Sequence, residues 1–318
     1  MRLNPLKIIT ILSFALFCGC PNKKAISPND NGNNNQPDTT TYGISVHFIN
    51  LHGSIGDATL ITTSSGYTML IDAGDWGQGS GYVLPYLSSH KVRNLNFIVA
   101  THYHADHIGG FPCVLQQVPA GYAYDRGYSF DSDPFRLYIR WVNPIRHTIY
   151  RGDTLWLGAD CYAACVAVNG NGVIPPSEFT NPACENDLSV ALHIKFGKFD
   201  LFVGGDITGG GSETYDVESS FARDLGKIEV YKVSHHGSAT SSNLYFLSIT
   251  QPKVSVISVG NYQGLPNSDV LVRLRAKGDV YITRDDGDVV VTVQSTQSDS
   301  FTVKTSKGVK KSYQCYAN

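Results

Sequence analysis

Short apolar runs bounded by Gly, Asp and Asn dominate the chain from Gly43 onward. Val, Ile, Thr, Tyr and Phe stand where β-strands favour them, as in "ISVHFIN", "ATLITT", "YTMLIDAG" and "LNFIVAT". Apolar residues at helical spacing predict helices near 82–89, in "IGGFPCVLQQV", over 214–225, in "SNLYFLSI" and in "SDVLVRLRAK". Strand clusters with interspersed helices predict two sheets covered by helices, an α/β sandwich.

The second part of the chain continues this alternation. Further strands are predicted at "DTLWLG", "YAACVAV", "LSVALHIKFG", "FDLFVGGD", "IEVYKVS" and "VSVISVG", and three closing strands at "DVYITR", "DVVVTV" and "FTVKTS". The stretch 121–151 is predicted to be irregular. It holds five arginines among aromatic residues, and we interpret it as a packed insertion rather than as a basic wall over a site.

The N-terminal residues follow a different pattern. Residues 1–20, "MRLNPLKIITILSFALFCGC", combine a cationic start with an apolar run too short to span a bilayer, which is typical of a signal peptide. Gly19 before Cys20 resembles the lipobox of bacterial lipoproteins, with cleavage by an ordinary signal peptidase as the alternative. Residues 21–42 are polar and rich in Asn and Pro, so we predict a disordered tether. The expected product is an exported, membrane-anchored lipoprotein facing the periplasm or the cell exterior, with one domain over 43–318.

The overall charge adds little to this picture. The formal net charge is −2 and charged residues make up 16% of the chain, so composition does not indicate a nucleic-acid partner. Any anionic substrate must therefore be bound by local groups.

The string "THYHADHIGG" at 101–110 concentrates three of the ten histidines within six positions. It follows a predicted strand, at the kind of loop where α/β folds present reactive groups. His102 and His104 are two residues apart and would point the same way in extended backbone, whereas Asp106 and His107 would face a second centre. Imidazole and carboxylate donors without a thiolate favour Zn²⁺, with Mn²⁺ or Fe as alternatives.

Other candidate ligands also follow predicted strands. Asp72 ends "YTMLIDAGD", Asp206 ends "LFVGGDITGG", and His235 and His236 end "YKVSHH". A carboxylate at Asp206 could bridge two metals. The sequence therefore predicts a site for two divalent ions, assembled from several strand ends.

An aspartate after a strand, HxHxDH, a later aspartate and a later histidine, in this order, resemble the motifs of the metallo-β-lactamase superfamily. The finer resemblance is to the hydrolase domain of ComEC-type competence proteins, and three stretches carry it: "GDATLITTSSGYTMLIDAG", "NDLSVALHIKFGKFDLFVGGD" and "VSHHGSATSS". The resemblance covers the chain from about Gly43 to the C-terminus. It implies an αββα sandwich with two metals at one edge between the sheets.

The resemblance also implies roles for individual residues. The implied metal ligands are His102, His104, Asp106, His107, Asp206 and His235, with His236 as a lesser candidate. Asp72 and Asp106 are the implied catalytic residues, and Asp72 would orient the attacking water. Ser238, Thr240, Ser241 and Asn186 are the implied substrate-binding residues.

The sequence departs from the family pattern at two places. Asn186 or Asp187 stands where many members have a histidine ligand, and Leu265 and Asn267 replace histidines that flank a proline in the ComEC branch. The leading hypothesis is hydrolysis of a phosphodiester, possibly in nucleic acid. The alternatives are hydrolysis of a carboxyl ester, thioester, lactone or β-lactam, and a tethered metal-binding scaffold without catalysis.

Overall fold

The computed structural model describes residues 42–317 and the backbone of Ala25 and Ile26. The signal peptide predicted for 1–20 and nearly all of the tether predicted for 21–42 lie outside the described residues. Ala25–Ile26 forms a short strand that pairs in parallel with Thr154 and Leu155. Among the described residues, no helix has the length and apolar character needed to cross a bilayer.

Strands and helices alternate along the chain. The strands are β1 (Ala25–Ile26), β2 (Ile44–Phe48), β3 (Thr59–Thr63), β4 (Thr68–Ile71), β5 (Leu95–Val99), β6 (Ala120–Asp125), β7 (Arg146–Thr148), β8 (Thr154–Trp156), β9 (Cys161–Ala167), β10 (Ala191–Phe196), β11 (Phe199–Val203), β12 (Gly209–Gly211), β13 (Thr214–Asp216), β14 (Val230–Lys232), β15 (Val254–Ile257), β16 (Asp279–Ile282), β17 (Val289–Val293), β18 (Ser300–Thr305) and β19 (Lys310–Gln314). The helices are α1 (Leu84–Ser89), α2 (Ala105–Ile108), α3 (Phe111–Gln117), α4 (Asp133–Val142), α5 (Glu218–Leu225), α6 (Leu244–Thr250), α7 (Ser268–Arg275) and α8 (Thr283–Asp286).

Two mixed sheets pack face to face. One has the strand order β19-β18-β17-β2-β3-β4-β5-β6-β7, and the other has the order β1-β8-β9-β10-β11-β14-β15-β16. The cluster between them contains Phe97 and Val99 from one sheet and Leu201 and Val203 from the other. Strands in this position are covered on both faces, which explains their nearly continuous apolar sequence.

Helices cover both outer faces. Leu87 of α1 and Phe111 of α3 pack against the sheet that contains β5, where they meet Ile98. Phe221 of α5 and Phe246 of α6 pack against the other sheet. Two sheets between two helical layers confirm the predicted αββα sandwich of the metallo-β-lactamase type.

The stretch 121–151, expected to be irregular, instead contains most of β6, helix α4 and strand β7. The α4 signals are visible in the sequence: the Ser132 side chain accepts a hydrogen bond from the Phe135 N–H, and Phe135, Tyr138 and Val142 are buried at helical spacing. Aromatic and basic residues around these signals obscure the pattern. Of the five arginines, Arg126 is fully buried, whereas Arg136, Arg140 and Arg151 are exposed, so the interpretation as a packed insertion stays a prediction.

Two further boundaries differ from prediction. The helix expected over 214–225 begins only at Glu218, because 214–216 pairs with 209–211 as a hairpin. The C-terminal end adds β19, which pairs with β18 at the edge of its sheet. This strand is polar and mostly exposed, so it lacks the alternation that identifies a strand.

Candidate metal centre

Four strand ends converge at one edge of the sandwich. Asp72 follows β4 and the histidine string follows β5, its parallel neighbour. Asp206 follows β11, and the pair His235 and His236 follows β14, again a parallel neighbour. Because parallel strands end at the same sheet edge, these side chains meet there.

Backbone hydrogen bonds join the loops, one across the two sheets and one between neighbouring strands of one sheet. The Val190 N–H donates to the Thr101 carbonyl at 2.8 Å, and the His235 N–H donates to the Gly205 carbonyl at 3.1 Å. Gly205 has a φ of 54°, and a side chain there would meet Thr101. The turn before Asp206 therefore requires glycine.

Asp206 lies at the middle of the cluster. Its Oδ1 is 3.3 Å from His107 Nε2, and its Oδ2 is 3.5 Å from His236 Nε2. The same Oδ2 is 3.9 Å from the Nε2 atoms of His102 and His235. The carboxylate thus faces imidazoles on two sides, as a ligand that bridges two cations does.

We divide the cluster around Asp206 into two halves. The first half comprises His102, His104 and His235. The second half comprises Asp106, His107 and His236.

Carboxylates surround the imidazoles of the second half. Asp106 Oδ2 is 3.1 Å from His236 Nε2 and 3.5 Å from His107 Nε2. His236 Nδ1 lies 2.8 Å from the Ser258 carbonyl, so it donates its proton there and leaves the Nε2 lone pair towards the site. These three side chains can therefore hold one cation together with Asp206.

In the first half, His102 Nε2 lies 3.1 Å from His104 Nδ1. The imidazole of His235 lies between Thr240 Oγ1, 3.0 Å from its Nδ1, and the Asn186 amide nitrogen, 3.1 Å from its Nε2. The neighbours of these rings, Asp206 apart, are thus mainly hydroxyl, amide and imidazole groups.

The places of His235 and His236 differ from the expectation. His235 was expected to complete the second centre, but the side chain beside Asp106 belongs to His236. Both residues are left-handed, with φ of 51° and 50°, and their ring centroids are 6.5 Å apart. Two successive left-handed residues turn the chain so sharply that neighbouring imidazoles point into different halves. Such strained backbone is common at functional sites.

Asp72 also differs from the role expected for it. Its Oδ1 accepts the Thr101 N–H at 2.8 Å, and its Oδ2 accepts the Thr101 hydroxyl and His107 Nδ1–H, both at 2.7 Å. Both oxygens are therefore used inside the protein, on the ring edge of His107 opposite to Asp206. Asp72 therefore positions the ring of His107 from the edge that faces away from Asp206.

Sequence reasoning missed Asp57, which precedes β3. Its carboxylate is buried behind the second half. Four atoms lie within 4.8 Å of one another there: one carboxylate oxygen from each of Asp57 and Asp206, and one ring nitrogen from each of His107 and His236. Asp57 faces the Nδ1 atoms of the two rings, whereas Asp206 faces their Nε2 atoms. Because the two nitrogens lie on different edges of an imidazole, Asp57 is not placed to share an ion with Asp206. Its only sequence signal is its place in the stretch "GDATLITTSSGYTMLIDAG", which carries the family resemblance.

The expected substrate-binding residues separate into two groups. The Ser238 and Thr240 hydroxyls lie 3.2 Å apart on the partly exposed rim next to His235. The Ser241 hydroxyl instead donates to the Ser234 carbonyl at 2.8 Å and is buried. The Asn186 amide contacts His235, so it belongs beside the first half.

A buried ion pair anchors the first half to the insertion. Arg126 Nη2 lies 2.5 Å from Glu185 Oε2 and both side chains are fully buried. Glu185 Oε1 also accepts the Tyr103 N–H at 2.8 Å, between the two histidines of the HxH pair. Glu185 precedes Asn186, so this one carboxylate braces the loop of His102 and the segment that contacts His235.

The surroundings set the protonation of the cluster. Burial is the largest influence on Asp106 and favours its neutral form, but His107 and His236 outweigh it and lower the pKa to about 2. Burial opposes the charged form of His236 too, yet Asp206 and Asp57 raise its pKa to about 10. Burial keeps the pKa of His102 well below its usual range. The second half thus attracts positive charge, while His102 presents a neutral imidazole, the form that binds metals.

Two buried atoms test whether a cation fits. Among the described side chains, His107 Nε2 and Asp206 Oδ1 lack hydrogen-bond partners although both are inaccessible to solvent. Buried polar atoms are normally paired, and these two lie 3.3 Å apart without forming a hydrogen bond. A divalent ion between the imidazoles and carboxylates would satisfy both atoms, so the donor set fits a metal centre.

Several known proteins are similar to this chain in sequence. The chain is 30% identical to Recombination protein 2 of Haemophilus influenzae over 74% of its own length and 27% of the relative. It is 28% identical to Competence protein ComA of Neisseria gonorrhoeae, over 70% of the chain and 28% of that protein. A shorter segment, 18% of the chain and 17% of the relative, is 41% identical to Ribonuclease Z of Clostridium kluyveri. The chain thus spans about a quarter of the length of the competence and recombination relatives.

Structural comparison agrees on the fold. CmlA, a diiron β-hydroxylase from Streptomyces venezuelae, superposes with a TM-score of 0.52 at 11% identity, covering 79% of this chain and 54% of CmlA. The sequence profile of the family described as "Metallo-beta-lactamase superfamily" matches residues 53–260, a stretch that includes Asp72, the histidine string, Asp206 and His236. The homologues of this chain include competence proteins of the ComEC-type branch. The chain belongs to the metallo-β-lactamase superfamily.

Proposed function

We propose that this chain is a two-metal hydrolase that cleaves phosphodiesters. The observation that carries the proposal is the central position of Asp206, whose carboxylate lies within 3.9 Å of His107 and His236 of the second half and of His102 and His235 of the first half. A single carboxylate between two sets of imidazoles is the arrangement that holds two cations close together.

The geometry favours one distribution of ligands. His102, His104 and His235 would hold the first ion, and Asp106, His107 and His236 would hold the second, with Asp206 shared. This assignment differs from the one expected from the sequence, because His235 and His236 both take part. Imidazole and carboxylate donors without thiolates suit Zn²⁺, with Mn²⁺ as the alternative.

Each protein group then has a role in hydrolysis. Divalent ions held by these residues would supply activation of a water near neutral pH and neutralisation of charge on the phosphoryl oxygens. The Asp106 side chain is 16% exposed, so it orients the attacking water from the open side of the site. Asp72 fixes the ring of His107, and the Ser238 and Thr240 hydroxyls donate hydrogen bonds to the non-bridging phosphate oxygens.

The choice of phosphodiester over other esters rests on the relatives. The similar proteins include a ribonuclease and competence and recombination proteins, whose names concern nucleic acid. The net charge of −2 supports a short substrate rather than long DNA, because tight binding to a nucleic-acid backbone requires several Lys or Arg contacts.

A substrate panel tests this proposal. Purified protein with Zn²⁺ or Mn²⁺ should hydrolyse bis(p-nitrophenyl) phosphate and short oligonucleotides faster than p-nitrophenyl acetate, a lactone or a β-lactam. Asp106→Asn should lower the rate at least about a hundredfold. His193→Asn is the control, since His193 contacts Asp200 outside the site. Faster turnover of the carboxyl compounds would contradict the substrate class, and a metal-loaded protein without hydrolysis would favour the scaffold alternative.

We further propose that the protein acts outside the cytoplasm while attached to a membrane through Cys20. The signal-like residues 1–20 support this proposal, as does the similarity to competence proteins. Fractionation should find the protein in the membrane fraction, and Cys20→Ser should release it. Membrane retention of the Cys20→Ser variant would contradict the lipid anchor.

A further inference from the structure

A buried ion pair lies directly behind the second half of the site. Lys232 Nζ contacts Asp57 Oδ2, and the two side chains are only 1% and 3% exposed. Lys232 is the last residue of β14, shortly before His235 and His236. Burying two opposite charges requires strong mutual compensation, because removing either one leaves the other desolvated and unpaired.

The pair faces the outer ring edges of both imidazoles of the second half. Asp57 Oδ1 is 3.8 Å from His236 Nδ1, and Asp57 Oδ2 is 3.9 Å from His107 Nδ1. Each of these nitrogens already has a nearer partner, the Ser258 carbonyl and Asp72 respectively. The carboxylate of Asp57 therefore acts on the two rings through charge rather than through a direct hydrogen bond.

The main chain ties Asp57 to the same half. The Asp57 N–H donates to the Asp106 carbonyl at 3.1 Å, and the Asp57 carbonyl accepts the Gly74 N–H at 2.8 Å. Asp57 Oδ1 is buried without a hydrogen-bond partner among the described residues. An unpaired buried oxygen is costly unless nearby positive charge stabilises it, and the protonated or metal-bound rings supply that charge.

We propose that Asp57 and Lys232 are positioning residues that set the affinity of the second half for its cation, an inference that rests on the proposed two-metal function. Asp57 adds negative charge behind the rings and Lys232 offsets most of it. At such short range, in a water-excluded interior, a change of one charge has a large effect on a bound cation. The two residues therefore act in opposite directions on metal binding.

Single neutral variants test the direction of each effect. In titrations of the full chain with Mn²⁺, Asp57→Asn should weaken binding of one of two ions by about tenfold, the size typical for groups behind metal ligands. Lys232→Met should strengthen binding of that ion by a similar factor, because Asp57 then stands uncompensated. If the ion pair only stabilised the fold, both variants would bind Mn²⁺ more weakly than wild type, in proportion to their loss of thermal stability.

The double variant Asp57→Asn/Lys232→Met keeps the test decisive if a single variant does not fold. It removes both charges together and should fold, with Mn²⁺ affinity within about threefold of wild type. The ion pair between Lys195 of β10 and the buried Asp200 of β11 provides the matched control, and Lys195→Met should leave Mn²⁺ binding unchanged.

The outcomes separate this proposal from the proposed function. If wild-type protein binds two Mn²⁺ ions and both single variants shift affinity in the same direction, the tuning proposal is wrong and the two-metal site stands. An Asp57→Asn variant that weakens one ion well beyond tenfold, as strongly as Asp106→Asn does, makes Asp57 a ligand and also overturns the proposal. Wild-type protein that binds no Mn²⁺ or Zn²⁺ contradicts the two-metal function itself.

Discussion

The two halves of the site share Asp206 but stand in different surroundings. His107 in the second half has Asp72 on one ring edge and Asp106 and Asp206 on the other. His235 in the first half has the hydroxyl of Thr240 on one edge and an amide on the other. The second half therefore attracts a cation by charge, whereas the first half relies on neutral donors held in place by the protein around them. We expect the second half to bind its ion more tightly.

Replacing the shared carboxylate should have the largest effect, because it removes a ligand from both halves. Asp206→Asn should lower the bound metal from two ions to one or none and reduce hydrolysis at least about a hundredfold. Metal analysis after gel filtration and the rate with bis(p-nitrophenyl) phosphate measure the two effects. If both ions stay bound with wild-type affinity, Asp206 does not join the halves.

The next largest effect concerns the support of the first half. Arg126→Met leaves Glu185 buried and unpaired, so the free energy of unfolding should fall by about 3–5 kcal/mol in urea titrations. Arg136→Met is the control, because Arg136 is 54% exposed and solvent-exposed ion pairs contribute little to stability. Where the Arg126 variant still folds, it should lose metal from the first half before the second. Equal loss of metal from both halves would contradict the inference that the Arg126–Glu185 pair supports the first half alone.

A pH series examines the segment that carries Thr240. Glu218 is buried and accepts the N–H groups of Ser242 and Asn243 at 2.7 and 2.8 Å. Burial raises its pKa from 4.5 to about 7 despite these hydrogen bonds. A raised folded-state pKa gives a stabilising contribution that is complete below pH 4.5 and is lost as the pH rises through 7.

Relative to Glu218→Gln, wild type should therefore lose up to about 3 kcal/mol of unfolding free energy between pH 4.5 and 8. Urea titrations of both proteins at matched pH values measure this difference. A difference that stays constant with pH would show that folding does not raise the pKa of Glu218. Glu218 would then not be a neutral group that supports the first half.

The smallest effect compares the two adjacent histidines. Asparagine tolerates the left-handed backbone at both positions, so His235→Asn and His236→Asn are matched variants. Each should weaken one ion by about 10- to 100-fold, the first-half ion for His235 and the second-half ion for His236. Calorimetric Mn²⁺ titrations resolve the two sites. If both variants weakened the same ion, His235 and His236 would belong to the same half of the site.

Much of this architecture follows from residue patterns. Apolar strands ending at Asp72, Thr101 and Asp206 predict where polar side chains converge, because strand ends of parallel neighbours share an edge. Helix α4 could also have been predicted, since Ser132 and the spacing of its apolar residues are ordinary helix signals.

Other features depend on contacts that no local pattern reports. The exchange of His235 and His236 results from two consecutive left-handed residues, and periodicity arguments assume regular backbone. Asp57 and Lys232 are 175 positions apart and meet only through the packing of the two sheets. The role of Asp72 depends on which ring edge of His107 it meets, which is a matter of rotamers and not of sequence order.

The left-handed turn at His235 and His236 also constrains how the site can move. A single peptide bond joins the residues that serve opposite halves, and the His235 N–H is hydrogen-bonded to the Gly205 carbonyl beside Asp206. A rotation of this one peptide unit would displace donors on both sides simultaneously. Loosening this turn would therefore disturb the donors of both ions at once, so a change in its backbone should weaken both sites together.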